Sequence, residues 1–204
     1  MKFKICGMKI PENITRVSDL KPDYLGFIFW KKSPRFFNNQ IPQINNKIKL
    51  TGVFVDQSID EIKKHIQHYK LNAVQLHGNE SPLICGKIKD LGIECIKSFS
   101  INEKFNFKKI KSYEDVCDHF LFDTKCKLPG GNGFKFDWKL IENYTSLKSF
   151  FLSGGIGVEE ISEIQNITKS NLPIHAIDVN SKFEIYPGNK NLKLLKQFKL
   201  KLFK

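Results

Sequence analysis

The chain has 204 residues, with 33 Lys or Arg against 21 Asp or Glu and a net charge of +12. This length suits one domain rather than two, and no apolar run approaches the roughly 20 residues that span a bilayer. The positive charge invites a nucleic-acid-binding reading, but arginine occurs only at Arg16 and Arg35 and the lysines are spread along the chain. Phosphate and base readers cluster their charge and favour arginine.

In chain order, short β-rich apolar runs alternate with turns and helical patterns. The expected strands are Phe3–Cys6, Tyr24–Phe29, Lys49–Val55, Ala73–Leu76, Glu94–Ser98, His119–Asp123, Ser149–Ser153 and His175–Val179. Between them, Ile59, Ile62, Ile66 and Tyr69 share one helical face after Asp56-Gln57-Ser58. Leu83, Ile84, Ile88 and Leu91 do the same after Glu80-Ser81-Pro82, and Val158, Ile161, Ile164 and Ile167 after Gly157. Each set has the spacing of an amphipathic helix. Near the end, Leu192, Leu195, Phe198 and Leu202 recur at helical spacing among seven lysines between Lys182 and Lys204. That pattern predicts a helix packed on the core with its lysines in water.

Strands alternating with helices predict a parallel sheet, and eight such units in one domain predict an α/β fold, a single (β/α)8 TIM barrel over residues 1–204. An open doubly wound sheet would place a GxGxxG turn after the first strand, where this chain has Cys6-Gly7-Met8-Lys9. The five cysteines, Cys6, Cys85, Cys95, Cys117 and Cys126, include no CxxC pair. They suggest no disulfide framework and no metal site, and with no secretory leader at Met1–Cys6 the expected compartment is the cytoplasm.

Catalytic groups of such barrels gather at the C-terminal ends of the strands. Titratable or phosphate-friendly residues stand at nearly every exit: Cys6, Arg35, Asp56, His77, Asp123, Ser153-Gly154-Gly155 and Asp178-Val179-Asn180-Ser181. The turn at Gly154 and Gly155 leads into a helix and, with Asn180 and Ser181 after the eighth strand, forms the expected phosphate site. Cys6 and Asp123 are the acid–base candidates. A cation or helix N-terminus beside the thiol would favour the thiolate. The other four cysteines read as small buried hydrophobes. A Schiff-base aldolase would need a buried lysine at a strand end, for which Lys97 is the candidate.

These positions resemble the phosphoribosylanthranilate isomerases. The resemblance runs in order through Lys4-Ile5-Cys6-Gly7, Gly26-Phe27-Ile28-Phe29 with Ser33-Pro34-Arg35, Val53-Phe54-Val55 and Val74-Gln75-Leu76-His77-Gly78-Asn79-Glu80. It continues through Phe122-Asp123-Thr124-Lys125, Gly130-Gly131-Asn132-Gly133 with Phe136-Asp137-Trp138, Ser153-Gly154-Gly155, and Asp178-Val179-Asn180-Ser181 with Glu184 and Pro187-Gly188. It implies an Amadori rearrangement of a small-molecule substrate, phosphoribosylanthranilate, in tryptophan biosynthesis by proton transfer alone, with no cofactor. Asp123 would be the general acid and Cys6 the general base, with Arg35 gripping the anthranilate carboxylate. His77 and Asp178 would join Arg35 around the substrate, His77 orienting the site or serving as a structural histidine bonded to backbone, and Asp178 as an orienting carboxylate. Relatives include monomers and homodimers. The competing readings are another phosphosugar isomerase or aldolase on the same barrel, and a basic nucleic-acid-binding protein. One departure stands out: Lys182 replaces a glycine expected beside the phosphate. Its ammonium would partly compensate by charge, at a steric cost if that position needs positive φ.

Overall fold

Each of the eight apolar runs forms a strand in the computed structural model, which describes residues 1–124 and 138–203. They are β1 (Lys2–Ile5), β2 (Tyr24–Ile28), β3 (Lys49–Phe54), β4 (Ala73–Leu76), β5 (Glu94–Ile101), β6 (His119–Thr124), β7 (Phe150–Leu152) and β8 (Ile174–Val179). All pair in parallel in chain order, and β8 closes the barrel on β1 through Lys4↔Asp178 and Ile5↔Val179. β5 runs three residues past its expected end, because its register with β6 continues through Ser100↔Asp123 and Ile101↔Thr124. Cys126, Lys125 and the Gly130–Asp137 part of the expected pattern lie outside the described residues.

Five helices surround this wall among the described residues: α1 (Pro11–Ser18), α2 (Ile59–Tyr69), α3 (Pro82–Lys89), α4 (Ile161–Thr168) and α5 (Leu192–Leu202). Ser58 caps α2 through a reciprocal capping box with Glu61. α5 buries Leu195, Phe198 and Leu202 and leaves its lysines outward, as its periodicity predicts. α3 departs from expectation in part: Ile88 is buried as expected, but Leu83 is 68% and Leu91 40% exposed, and Cys85 joins Ile88 on the buried face. A free cysteine packs as a small hydrophobe and can take such a core position.

The alternation of strand and helix is also imperfect. No helix forms among residues 29–48, where Pro34 and Pro42 interrupt the backbone hydrogen bonding a helix needs. Phe37 from this segment packs edge-on against Phe27 at 4.9 Å and covers the wall in a helix's place. Short 3-10 helices, Phe107–Tyr113 and Trp138–Asn143, do the same after β5 and β6.

Strand alternation divides inside from outside. Tyr24, Ala73, Ile96, Leu121, Phe151 and Ala176 form a closed apolar layer in the lumen. Residues two positions further along these strands point the same way, one layer nearer the mouth: Gln75, Ser98, Asp123, Ser153 and Asp178. The opposite set, among them Leu25, Phe27, Val74, Leu76, Phe120, Phe122, Ile177 and Val179, belongs to the outer core beneath the helices.

At the other end of the barrel, Tyr24 donates to Glu94 Oε1 at 3.0 Å and accepts from His175 Nε2 at 3.0 Å. The His175 ring stacks on His119 at 3.9 Å. Burial, with His119, Lys2 and Lys49, pushes His175 down to about 4, Glu94 acting the other way. The unfolded chain takes up this proton near the ordinary histidine pKa of about 6.5, so folding stability falls as pH drops from about 6.5 toward 4. Replacing His175 by Gln should shrink the loss of urea midpoint between about pH 7 and pH 4.5. An unchanged loss would place the pH dependence elsewhere.

Candidate active site

The mouth is organised around Lys4, which has no solvent exposure and projects into the lumen from β1. Its ammonium lies 3.0 Å from Asp178 Oδ2 and donates to Gln75 Oε1 at 2.7 Å. Burial alone would discharge Lys4, but Asp178 and the Cys6 sulfur together hold its pKa above the ordinary lysine value. Cys6 follows β1 directly, its N–H donating to the Val179 carbonyl, and is 5% exposed. Two cations, Lys4 and Lys190, act on it. Burial nevertheless outweighs them, and the Cys6 thiol is pushed up rather than down.

A polar chain runs from Lys4 across the mouth to Asp123. Because an ammonium only donates, Gln75 must turn its oxygen to Lys4 and its amide nitrogen to His77 Nδ1, 2.8 Å away. His77 Nδ1 therefore accepts, the proton sits on Nε2, and Nε2 faces Asp123 Oδ2 at 3.6 Å. Burial, with Lys97 and Lys4, pushes His77 down to about 4, so the ring is neutral near pH 7. This corrects the backbone-bonded role expected for His77: its ring partners are side chains. Asp178, raised chiefly by burial, feels Asp123 as a like charge, which places the two carboxylates in one field. Among the described residues Asp178 Oδ1 is buried with no hydrogen-bond partner.

Arg35 reaches the mouth from the loop after β2, 7% exposed. Its Nε and Nη2 clasp Glu184 at 2.6 to 3.0 Å, leaving the Nη1 edge for a ligand. Glu184 opens a small hairpin, β9 (Glu184–Tyr186) and β10 (Asn189–Lys190). Burial would raise Glu184, but Arg35 and Lys190 hold it below the usual carboxylate range. Lys190, pushed down to about 8 by burial, donates to Glu184 Oε1 and Asn180 Oδ1, both at 2.7 Å. Of this group only Arg35 and Asn180 are singled out by sequence. Glu184 and Lys4 stand there only within the resembling motifs, with no role assigned, and Lys190 is one of the lysines near the C-terminus.

The turn after β7 takes φ of +89° at Gly154 and +65° at Gly155, a backbone that L side chains rarely adopt. Ser181 begins a single 3-10 turn, Ser181–Phe183. Asn180 Oδ1 is committed to Lys190, so its Nδ2 and backbone N–H are the donors it retains toward an anion. Lys182 shows no positive φ, and its ammonium pairs with Glu160 at 2.8 Å. The steric cost expected for it is absent, and Glu160 already answers its charge. Asp56 and Glu80 serve the scaffold. Glu80 accepts from the Asp56 and Gly78 N–H groups and pairs with Lys97 at 2.8 Å. Lys97 therefore faces the outer wall and is not available as a Schiff-base amine. The lumen lysine, Lys4, is held charged, which removes its nucleophilicity too.

The fold and site define a TIM-barrel enzyme with a thiol and a carboxylate at the exits of β1 and β6, three strands apart around the barrel. A glycine turn lies at the exit of β7. The family model for N-(5′-phosphoribosyl)anthranilate isomerase matches residues 3–200. The N-(5′-phosphoribosyl)anthranilate isomerase of Parabacteroides distasonis is 40% identical over 204 residues, 97% of this chain and 91% of the relative. The crystal structure of the Thermotoga maritima enzyme superposes with a TM-score of 0.84 at 28% identity, covering 100% of this chain and 98% of that one. A structure of phosphoribosyl anthranilate isomerase in complex with reduced 1-(o-carboxyphenylamino)-1-deoxyribulose 5-phosphate gives 0.80 at 28% identity, covering 97% and 96%. The chain belongs to the N-(5′-phosphoribosyl)anthranilate isomerase family, and it is an aldose–ketose isomerase of tryptophan biosynthesis.

Gly7 lies where Arg35 and Asn180 crowd the backbone. It adopts φ +73°, and a Cβ there would lie 2.5 Å from Asn180 Oδ1 and 2.8 Å from Arg35 Cδ. Gly7→Ala should therefore displace both neighbours, raising KM at least tenfold while the fold persists by circular dichroism. Unchanged KM would show that the Arg35–Asn180 approach does not matter for binding.

Proposed function

We propose that Cys6 and Asp123 carry the proton transfers of an Amadori rearrangement, with N-(5-phosphoribosyl)anthranilate as substrate and 1-(2-carboxyphenylamino)-1-deoxyribulose 5-phosphate as product. Asp123 protonates the furanose ring oxygen, so that the ring opens to a Schiff base. Cys6 removes the proton from C2′, and the resulting enolamine tautomerises to the ketone. The observation that carries this reading is the polar chain itself. Lys4 stands beside Cys6 and favours the thiolate that acts as the base, while the same ammonium, through Gln75 and neutral His77, fixes an N–H facing Asp123. Base and acid thus sit at the two ends of one chain of hydrogen-bonding groups. Each transfer contributes about 10²–10⁴-fold.

Arg35, braced by Glu184, presents its remaining guanidinium edge to the anthranilate carboxylate, a match of planar forks. The unpartnered Asp178 Oδ1 accepts from a sugar hydroxyl, which removes the cost of leaving it buried and unbonded. The Gly154-Gly155 turn and the backbone at Asn180 and Ser181 hold the 5′-phosphate. We place the reaction in the cytoplasm. A monomer suffices for this chemistry, since each residue named comes from one chain; a Thermotoga maritima relative is described as dimeric.

A fluorescence assay with substrate generated in place, corrected for its spontaneous decomposition, tests the assignment. Cys6→Ala and Asp123→Asn should each lower kcat by at least about 10²-fold with thermal unfolding little changed. Activity surviving in either variant would remove that residue from the mechanism, and a folded wild type without turnover would overturn the substrate assignment.

A further inference from the structure

Outside the barrel wall, far from the proton-transfer chain in its role, three cysteines from three successive elements converge. Cys85 lies on the inner face of α3, Cys95 on the outward side of β5, and Cys117 in the turn leading into β6. Their sulfurs lie within 4.8 Å of one another. All three residues have no solvent exposure, and none is in a disulfide. The three sulfurs thus face one another in a single closed pocket of the outer core. Among the described residues no fourth His, Cys, Asp or Glu joins the group.

Three sulfurs around one ion, at a bond length of about 2.3 Å as for zinc–thiolate, lie about 4 Å apart or less. From a separation of up to 4.8 Å the triad thus needs to close by roughly 1 Å or somewhat more, a movement of side chains. Charge then decides which ion fits. The surroundings are outer-core side chains such as Ile88, and the charges that approach are already engaged: Asp118 accepts from the Cys95 N–H at 2.7 Å, Lys148 donates to the Cys117 carbonyl at 2.9 Å, and Lys97 is matched by Glu80. A dry site of this kind penalises any net charge on the complex. Three thiolates around zinc would carry −1 and lack the fourth ligand that zinc prefers. Around copper(I) they would carry −2. Around a trivalent ion they carry none.

We propose that Cys85, Cys95 and Cys117 form a three-thiol binding site for a trivalent thiophilic ion, of which arsenic(III) is the representative. Arsenite, As(OH)3, exchanges its three hydroxyl groups for three cysteine sulfurs. Three As–O and three S–H bonds break, three As–S bonds form, and each hydroxyl leaves with a thiol proton as water. Arsenic remains trivalent, so no oxidant or reductant is needed. Every reactant and product is neutral. The bound ion would tie α3, β5 and the approach to β6 together, stabilising that side of the wall without touching the mouth.

Because the thiols are buried, the test should let the site form around its ligand. The full chain is refolded from denaturant in a non-thiol reductant with or without arsenite, then examined by native mass spectrometry and thermal unfolding. One arsenic should be gained with loss of three hydrogens, and the melting temperature should rise by several degrees. Both effects should persist in Cys6→Ala and vanish in Cys95→Ala and, separately, in Cys117→Ser, with circular dichroism confirming that each variant has folded. The mass readout reports binding even where a variant is less stable. The proposal is overturned by no uptake, by uptake with loss of only two hydrogens, or by uptake that survives both triad variants. It is overturned equally if zinc or copper(I), in parallel refolding, binds more tightly than arsenite.

Discussion

The Lys4 ammonium is enclosed by the barrel, and a charge in that position is tolerable only if it is neutralised and fully hydrogen-bonded. Asp178 and Gln75 meet this demand, and the rest of the mouth follows from how they do it. Asp178 must turn one oxygen inward to Lys4, which leaves its other oxygen in the site. Gln75 must give its carbonyl to the ammonium, which fixes its amide nitrogen on His77 and so the tautomer of that ring. A single buried charge thus propagates orientation from β1 through β4 toward β6. The same ammonium opposes the burial penalty on Cys6. Lys4 is too deep and too firmly charged to react, and its influence is exerted through the groups it orients.

A second buried network holds the mouth from the β8 side. Arg35, Glu184, Lys190 and Asn180 interlock, and Lys190 is itself anchored by its backbone to the Asn13 side chain on α1. Two cations share one carboxylate here, so the assembly keeps positive charge available for an anionic substrate while Glu184 sets the guanidinium plane. On the opposite wall, Glu80 performs an analogous service. It gathers the loop N–H groups of Asp56 and Gly78 and pairs with Lys97, which fixes the exit of β4 and with it His77. The proposed acid, base and carboxylate grip are thus supported by neighbouring charges such as Glu184, Lys190 and Glu80, in keeping with the need to hold reacting groups to a fraction of an ångström.

Much of the molecule is legible in its sequence because much of it is locally determined. Short β-rich apolar runs and the 3.6-residue helical repeat place all eight strands and four of the helices. α1 is harder to read, since its buried apolar pair, Ile14 and Val17, is a single repeat. The segment at residues 29–48 covers the wall without a helix, through an aromatic contact that no local pattern announces. Positions at strand ends identify Cys6, Arg35, His77, Asp123 and Asp178, because in this fold every strand exit opens onto the same mouth.

The sequence by itself determined the order of strands, the barrel they close into and the ring of polar residues at its rim, since these follow from backbone geometry and side-chain period. Only the tertiary structure decided which charges are buried and with whom. Lys4 and Asp178 are separated by nearly the whole chain and become neighbours because β8 closes on β1. Lys182 meets Glu160 rather than bare phosphate ground, and Leu83 yields the core face to Cys85. Cys85, Cys95 and Cys117 show no ligand spacing along the chain, yet wall, helix and turn bring their sulfurs together. Pairing of this kind depends on closure between distant segments, and no short-range regularity of the sequence encodes it.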